Sequence, residues 1–144
     1  IPMPEPKVGG YEFSFSGVKT SVINYVNKMN MKKEEYNPAD IAASFQDREV
    51  DILCKKTIAE ATEKGVKNIL IAGGVAANSL LRKELLERSK LEGIQVFYPS
   101  MKLCTDNAGM IAAAGYYKLT YGDPDKIFAD LKLNGVANMG IEED

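Results

Sequence analysis

Residues 67–88 read KNILIAGGVAANSLLRKELLER, and this order of features constrains the fold more than any other part of the chain. Residues 68–72 are an apolar run of the length of a buried strand. Gly73 and Gly74 follow directly. Residues 76–88 then have helix-forming composition, with Leu80, Leu81, Leu85 and Leu86 at helical spacing. Residues 94–98 form a second short apolar run, stopped by Pro99. Strand, helix and strand in this order make a βαβ unit, so the two strands are expected to lie adjacent and parallel. The predicted class is α/β.

A double glycine between strand and helix has a chemical use. Without Cβ atoms, the backbone turns sharply and a ligand can approach the main chain. The helix behind it offers unpaired N–H groups and the positive end of its dipole. A phosphate or an adenosine suits such a place, which makes Gly73 and Gly74 candidate nucleotide contacts. Asn78 falls near the first helical turn, where its amide either contacts a ligand or caps the backbone. Gly-Gly also serves as a tight turn and nothing more, so the motif alone does not decide.

The 144 residues have room for one domain with a core, and not comfortably for two. Histidine is absent. No Ser-His-Asp or Cys-His site can therefore exist within the chain, and no histidine-based metal site can be completed in it. A net charge of −2 gives no global basic surface. Cys54 and Cys104 lie far apart and outside any Cys-x-x-Cys spacing, which reads as free thiols in a reducing compartment. No apolar run has the length of a transmembrane span.

The opening Ile1-Pro2-Met3-Pro4-Glu5-Pro6-Lys7 is proline-rich; residues 1–10 read as an extended leader and as a segment of a longer chain. Residues 11–17 alternate aromatic and polar side chains, which predicts a strand ended by Gly17. A helix over 20–30 follows, with Val22, Ile23 and Val26 inward. Ser16-Gly17-Val18-Lys19 matches a Ser-x-x-Lys pattern of some acyl-transfer enzymes, but their partner motifs are missing, and a polar turn is preferred. Asn37 as N-cap, Pro38 at the first helical position and Asp40 in the first turn start a long helix that Gly65 ends. Ile41, Phe45, Ile52 and Ala59 mark its inner face, widened by Ala42, Leu53 and Ile58, with Cys54 as packing.

Beyond the second strand, Thr105 or Asp106 is expected to start a helix reaching about Tyr121, with small residues crowding its first turns. Asp106 has two readings. It caps the helix, the commoner role for aspartate there. Alternatively it is a functional carboxylate beyond the carboxyl ends of parallel strands, where such sheets bind ligands. A last short helix is expected over 126–133 and a frayed acidic end over 142–144.

Three motifs in order, FSFSGVKT (residues 13–20), IAGGVAAN (71–78) and CTDNAGMIAAAG (104–115), resemble the C-terminal part of the TsaD family. These are tRNA N6-adenosine threonylcarbamoyltransferases, once named O-sialoglycoprotein endopeptidases or glycoproteases. The resemblance implies one lobe of an actin-like ATPase (ribonuclease H-like) fold with a mixed sheet, the chain being a single domain. It implies transfer of a threonylcarbamoyl group from threonylcarbamoyl-AMP to N6 of adenosine 37 in tRNA, in the cytoplasm. It assigns nucleotide or adenylate contacts to Asn78 beside Gly73 and Gly74, with ATP or threonylcarbamoyl-AMP as ligand. It assigns Asp106 as ligand to a divalent metal, iron or zinc, whose histidine ligands belong to a first lobe. No catalytic residue is implied within this chain, and the isolated chain is expected to be inactive and to bind metal weakly. The implied partners are tRNA, TsaB and TsaE-type proteins and the first lobe; a homodimer of the chain is a further expectation. The peptidase name gains nothing from a chain without histidine. Two alternatives stand beside this reading: a lobe of an actin-like acetate or sugar kinase, and a non-catalytic scaffold.

Overall fold

Asn37 starts the longest helix as its sequence predicts. In the computed structural model, which describes residues 1–5, 8–123, 132, 134 and 135, its side chain accepts the N–H of Ala39 at 3.0 Å. Helix α2 then runs Pro38–Glu63. Gly65, at φ 67°, ends it: the Gly65 N–H reaches Thr62 O and the Val66 N–H reaches Ala61 O, the two bonds of a Schellman cap. The described residues fall into two units, Ile1–Thr105 and Asp106–Asp144.

In the first unit, α1 (Ser16–Lys32) and α2 precede strand β1 (Asn68–Leu70), helix α3 (Ser79–Leu91) and strand β2 (Gln95–Phe97). The strands pair in parallel, Asn68 with Gln95, Ile69 with Val96 and Leu70 with Phe97, as the βαβ order requires. The Ile71 N–H extends the ladder by one bond to Phe97 O. Gly93, at φ 66°, closes α3 with a second Schellman cap, in which Ile94 N–H reaches Ser89 O at 2.9 Å.

Helix α2 carries two cores on opposite faces. Val50, Cys54 and Ala61 pack with Ile69, Leu81, Leu85 and Ile94, that is, against α3 and the inner face of the sheet. Ile41 and Ile52 lie about 180° round the helix at 3.6 residues per turn, and pack with Val18 of α1 and with Met3. The single inner stripe expected of α2 is thus two stripes, and Ala59, expected inside, is exposed. Cys54 is fully buried, as its packing role predicts. Met3 anchors the proline-rich leader, and the Ser21 hydroxyl donates to its sulfur at 3.3 Å. The outer face of the strand pair is open, with Leu70 and Phe97 both exposed.

One expected element is absent. Residues 11–15 form a turn and irregular chain, not a strand, and α1 begins at Ser16. An alternating strand needs a ladder partner, and among the described residues none pairs with this segment. It is held instead by side chains: Tyr11 donates to Glu63, Lys56 to the carbonyl oxygens of Val8 and Glu12, and Phe13 stacks on Phe15 at 6.2 Å. Ser16 and Lys19 lie in the first turn of α1, so the Ser-x-x-Lys match is a helix start, not a turn after a strand. Of the residues expected inward on α1, Val22 and Val26 are partly buried and Ile23 is exposed.

In the second unit, α4 spans Ala108–Tyr121. A Cβ on Gly122 would stand 2.5 Å from Lys118 O, so glycine lets the chain turn off the helix there. The short helix expected near 126–133 and the acidic end at 142–144 lie outside the described residues, Lys132 apart.

Candidate functional site

The segment after β1 is more articulated than a glycine turn followed by a helix. Gly73 adopts φ 84°, ψ 177°, a region essentially reserved for glycine. A single 3₁₀ turn over Gly74–Ala77 follows, closed by Ala76 N–H to Gly73 O at 3.0 Å. The N–H groups of Gly74 and Val75 precede that bond and have no partner within the turn. Gly73, Gly74 and Val75 are exposed, and no atom comes within 4 Å of a Cβ built on Gly74, so the main chain is open to approach.

Asn78 begins α3. Its Oδ1 accepts the N–H of Leu81 at 3.1 Å, and its own N–H reaches Val75 O at 3.0 Å. The helix therefore starts at Ser79 and not at Ala76, and Asn78 is its N-cap. The capping reading of Asn78 is realised by one half of the amide. The other half, Nδ2, makes no hydrogen bond among the described residues and remains a free donor beside the exposed turn.

Asp106 belongs to the second unit, and its capping reading is corrected. The neighbouring Asn107 caps α4, accepting the Met110 N–H at 3.1 Å. Both types make good caps; the helix begins one residue later than Asp106 would require. Asp106 is exposed and has no hydrogen bond or ion pair among the described residues. No group of three His, Cys, Asp or Glu side chains among the described residues is placed to hold an ion. One carboxylate is a single ligand, short of the usual tetrahedral or octahedral set.

A residue not expected to take part organises the ends of both strands. Arg82, one turn into α3, points its guanidinium back over the loops. Its Nε donates to Ala76 O in the 3₁₀ turn. Its Nη2 donates to Pro99 O at 3.0 Å and to Cys104 Sγ at 3.1 Å, and the guanidinium carbon lies 4.4 Å from the Tyr98 ring centroid. Cys104 is buried and is a free thiol, as is Cys54, whose thiol burial pushes up to about 11. In sequence, Arg82 is one of several charged positions on α3, and no local signal separates it from Lys83 or Arg88.

Arg88 acts elsewhere. It binds Glu84 at 2.9 Å and Asp51 at 2.8 Å, joining α3 to α2, while Lys55 and Arg48 also reach Asp51. Burial pushes the Asp51 carboxyl up, but hydrogen bonds from Lys55 and Arg88 outweigh it and leave the group below its ordinary value.

A family model described as TsaD: tRNA N6-adenosine threonylcarbamoyltransferase matches residues 1–113, a span that includes Gly73, Gly74, Asn78, Arg82 and Asp106. The chain belongs to the TsaD family. Relatives named tRNA N6-adenosine threonylcarbamoyltransferase support the assignment. The protein of Fusobacterium nucleatum subsp. nucleatum is 55% identical over 145 residues, covering 100% of this chain and 42% of the relative. That of Clostridium beijerinckii is 48% identical over 132 residues, covering 92% and 38%, and that of Caldicellulosiruptor saccharolyticus 51% identical over 119 residues, covering 83% and 35%. The chain thus spans about two fifths of the length of these TsaD relatives. The match favours neither the kinase nor the scaffold alternative. No described helix is long and apolar enough to cross a membrane.

Proposed function

We propose that this chain is the nucleotide-contacting C-terminal part of an enzyme that transfers a threonylcarbamoyl group from threonylcarbamoyl-AMP to N6 of adenosine 37 in tRNA. The observation that carries the reading is a family match spanning a turn with open main-chain donors. The N–H groups of Gly74 and Val75, which bond no acceptor among the described residues, suit a phosphate. The free Nδ2 of Asn78, fixed in direction because Oδ1 is committed to Leu81, suits an acceptor on the adenosine or its sugar.

The chemistry is acyl transfer. A bond forms from N6 to the carbamoyl carbon, the bond from that carbon to the phosphate oxygen breaks, AMP leaves with the electron pair, and one N6 proton passes to solvent. Main-chain donors at the phosphate stabilise the charge that AMP takes away. Asp106 is proposed as one oxygen ligand to an iron or zinc ion whose other ligands lie outside this chain, and no step is assigned to that ion. The proposed setting is one lobe of an actin-like ATPase fold in the cytoplasm, with ATP as a related ligand. The proposed partners are tRNA, TsaB and TsaE-type proteins, the first lobe, and a second copy of the chain when that lobe is absent.

A turnover assay with threonylcarbamoyl-AMP and tRNA tests the reading. The 144-residue chain alone is expected to be inactive, and the full-length protein carrying it active. Full activity in the short chain contradicts the division of the site between two lobes. Inactivity of the full-length protein contradicts the transfer itself.

A further inference from the structure

Arg82 pairs with no carboxylate among the described residues, whereas Arg48 and Arg88 both reach Asp51. A half-buried guanidinium held by neutral acceptors is a costly way to brace a fold, because burying a charge without a counter-charge is unfavourable. Its acceptors are not scattered. Ala76 O lies in the turn that leaves β1, and Pro99 O and Cys104 Sγ lie in the segment that leaves β2. Both leave the carboxyl ends of parallel strands, the edge at which sheets of this class bind ligands. The planar fork of arginine reaches both loops at once while stacking on Tyr98. A lysine, a point charge with three rotatable donors, cannot reproduce that set.

We propose that Arg82 is a positioning residue that locks the Gly73–Asn78 turn to the 98–104 segment, and that it governs ligand affinity through the turn without touching the ligand. The ligand half of this proposal rests on the adenylate reading above; the locking half does not.

Hydrogen exchange of the 144-residue chain, read at the amides of Ala76, Asn78, Leu103 and Cys104, tests the lock. AMP is the probe for affinity. Each of these four amides is bonded within its own loop, so its protection reports that loop. In Arg82→Lys and Arg82→Gln, exchange is expected to rise together in both loops by at least about tenfold, while Leu85 in the core keeps its protection. AMP affinity is expected to fall by about tenfold in both variants. Loss in Arg82→Lys separates positioning from attraction, because that variant keeps the charge. Tyr98→Leu, which removes only the stack, is expected to give a smaller rise in both loops, and it decides alone where the Arg82 variants do not fold.

A rise confined to one loop overturns the lock. So does wild-type behaviour of Arg82→Lys, or equal loss of protection at Leu85. Joint loosening of both loops with AMP affinity unchanged upholds the lock and overturns its control of the ligand. Joint loosening in a chain that binds no AMP even as wild type upholds the lock and overturns the adenylate reading instead.

Discussion

Asn78 Oδ1 accepts the backbone N–H of Leu81 at 3.1 Å, which commits one half of the amide to starting α3 and leaves the other half free. The two halves can be separated by substitution. Asn78→Asp keeps the capping oxygen and replaces the Nδ2 donor with an acceptor. It is expected to leave stability within about 0.5 kcal/mol of wild type, whereas Asn78→Ala loses about 1 kcal/mol. Both are expected to weaken AMP binding. Denaturant melts paired with calorimetric AMP titration check this, and undiminished binding in Asn78→Asp contradicts the ligand role.

The adjacent glycines differ in what they do. Gly73, at φ 84° and ψ 177°, is required by its backbone, so Gly73→Ala is expected to cost about 1–3 kcal/mol. Gly74 has open space around it and no such torsion. Gly74→Ala is therefore expected to leave the melting midpoint unchanged and to reduce AMP affinity, because the new methyl lies where a ligand approaches the main chain. Equal destabilisation by the two substitutions contradicts this division.

Ser89 is fully buried in α3, and its hydroxyl has no hydrogen-bond partner among the described residues. Removing an unsatisfied buried polar group is favourable, so Ser89→Ala is expected to raise stability by about 1 kcal/mol. A shift of the urea midpoint at constant slope measures it.

Asp51 makes the contact between α2 and α3 sensitive to acid. Its folded pKa is depressed, so the stability it contributes is present above the ordinary carboxyl value of about 3.9 and is lost as pH falls through the lower folded value. Thermal melts between neutral and strongly acid pH are expected to show a loss that Asp51→Asn reduces. At neutral pH the same substitution is expected to cost about 1 kcal/mol, the upper end for partly exposed pairs, because three cations converge on this carboxylate.

Signals carried by a few neighbouring residues were legible in the sequence. Asn37-Pro38 announced the start of α2, Gly65 its end, and the order of apolar runs the parallel pairing of β1 and β2. Features set by distant contacts were not. Alternation over 11–17 looks the same whether or not a partner strand exists, and here the segment remains irregular. Asp106 and Asn107 have similar capping propensity, so one residue of helix register decided which of them is left free. Val50, Cys54 and Ala61 form the second face of α2 only because α3 and the sheet pack there. At the site, Gly73, Gly74 and Asn78 were visible as a motif, but Arg82 was not. Its role requires residues 76, 98, 99 and 104 to be gathered by the fold.

The most direct measurement is titration of AMP into the nitrogen-labelled chain, followed by amide resonances. Saturable shifts are expected at Gly73, Gly74, Val75 and the side-chain amide of Asn78, with Ile41 and Val18 in the α1–α2 core unmoved. Shifts that map away from the turn, or a turn unchanged while AMP binds elsewhere, contradict the adenylate reading.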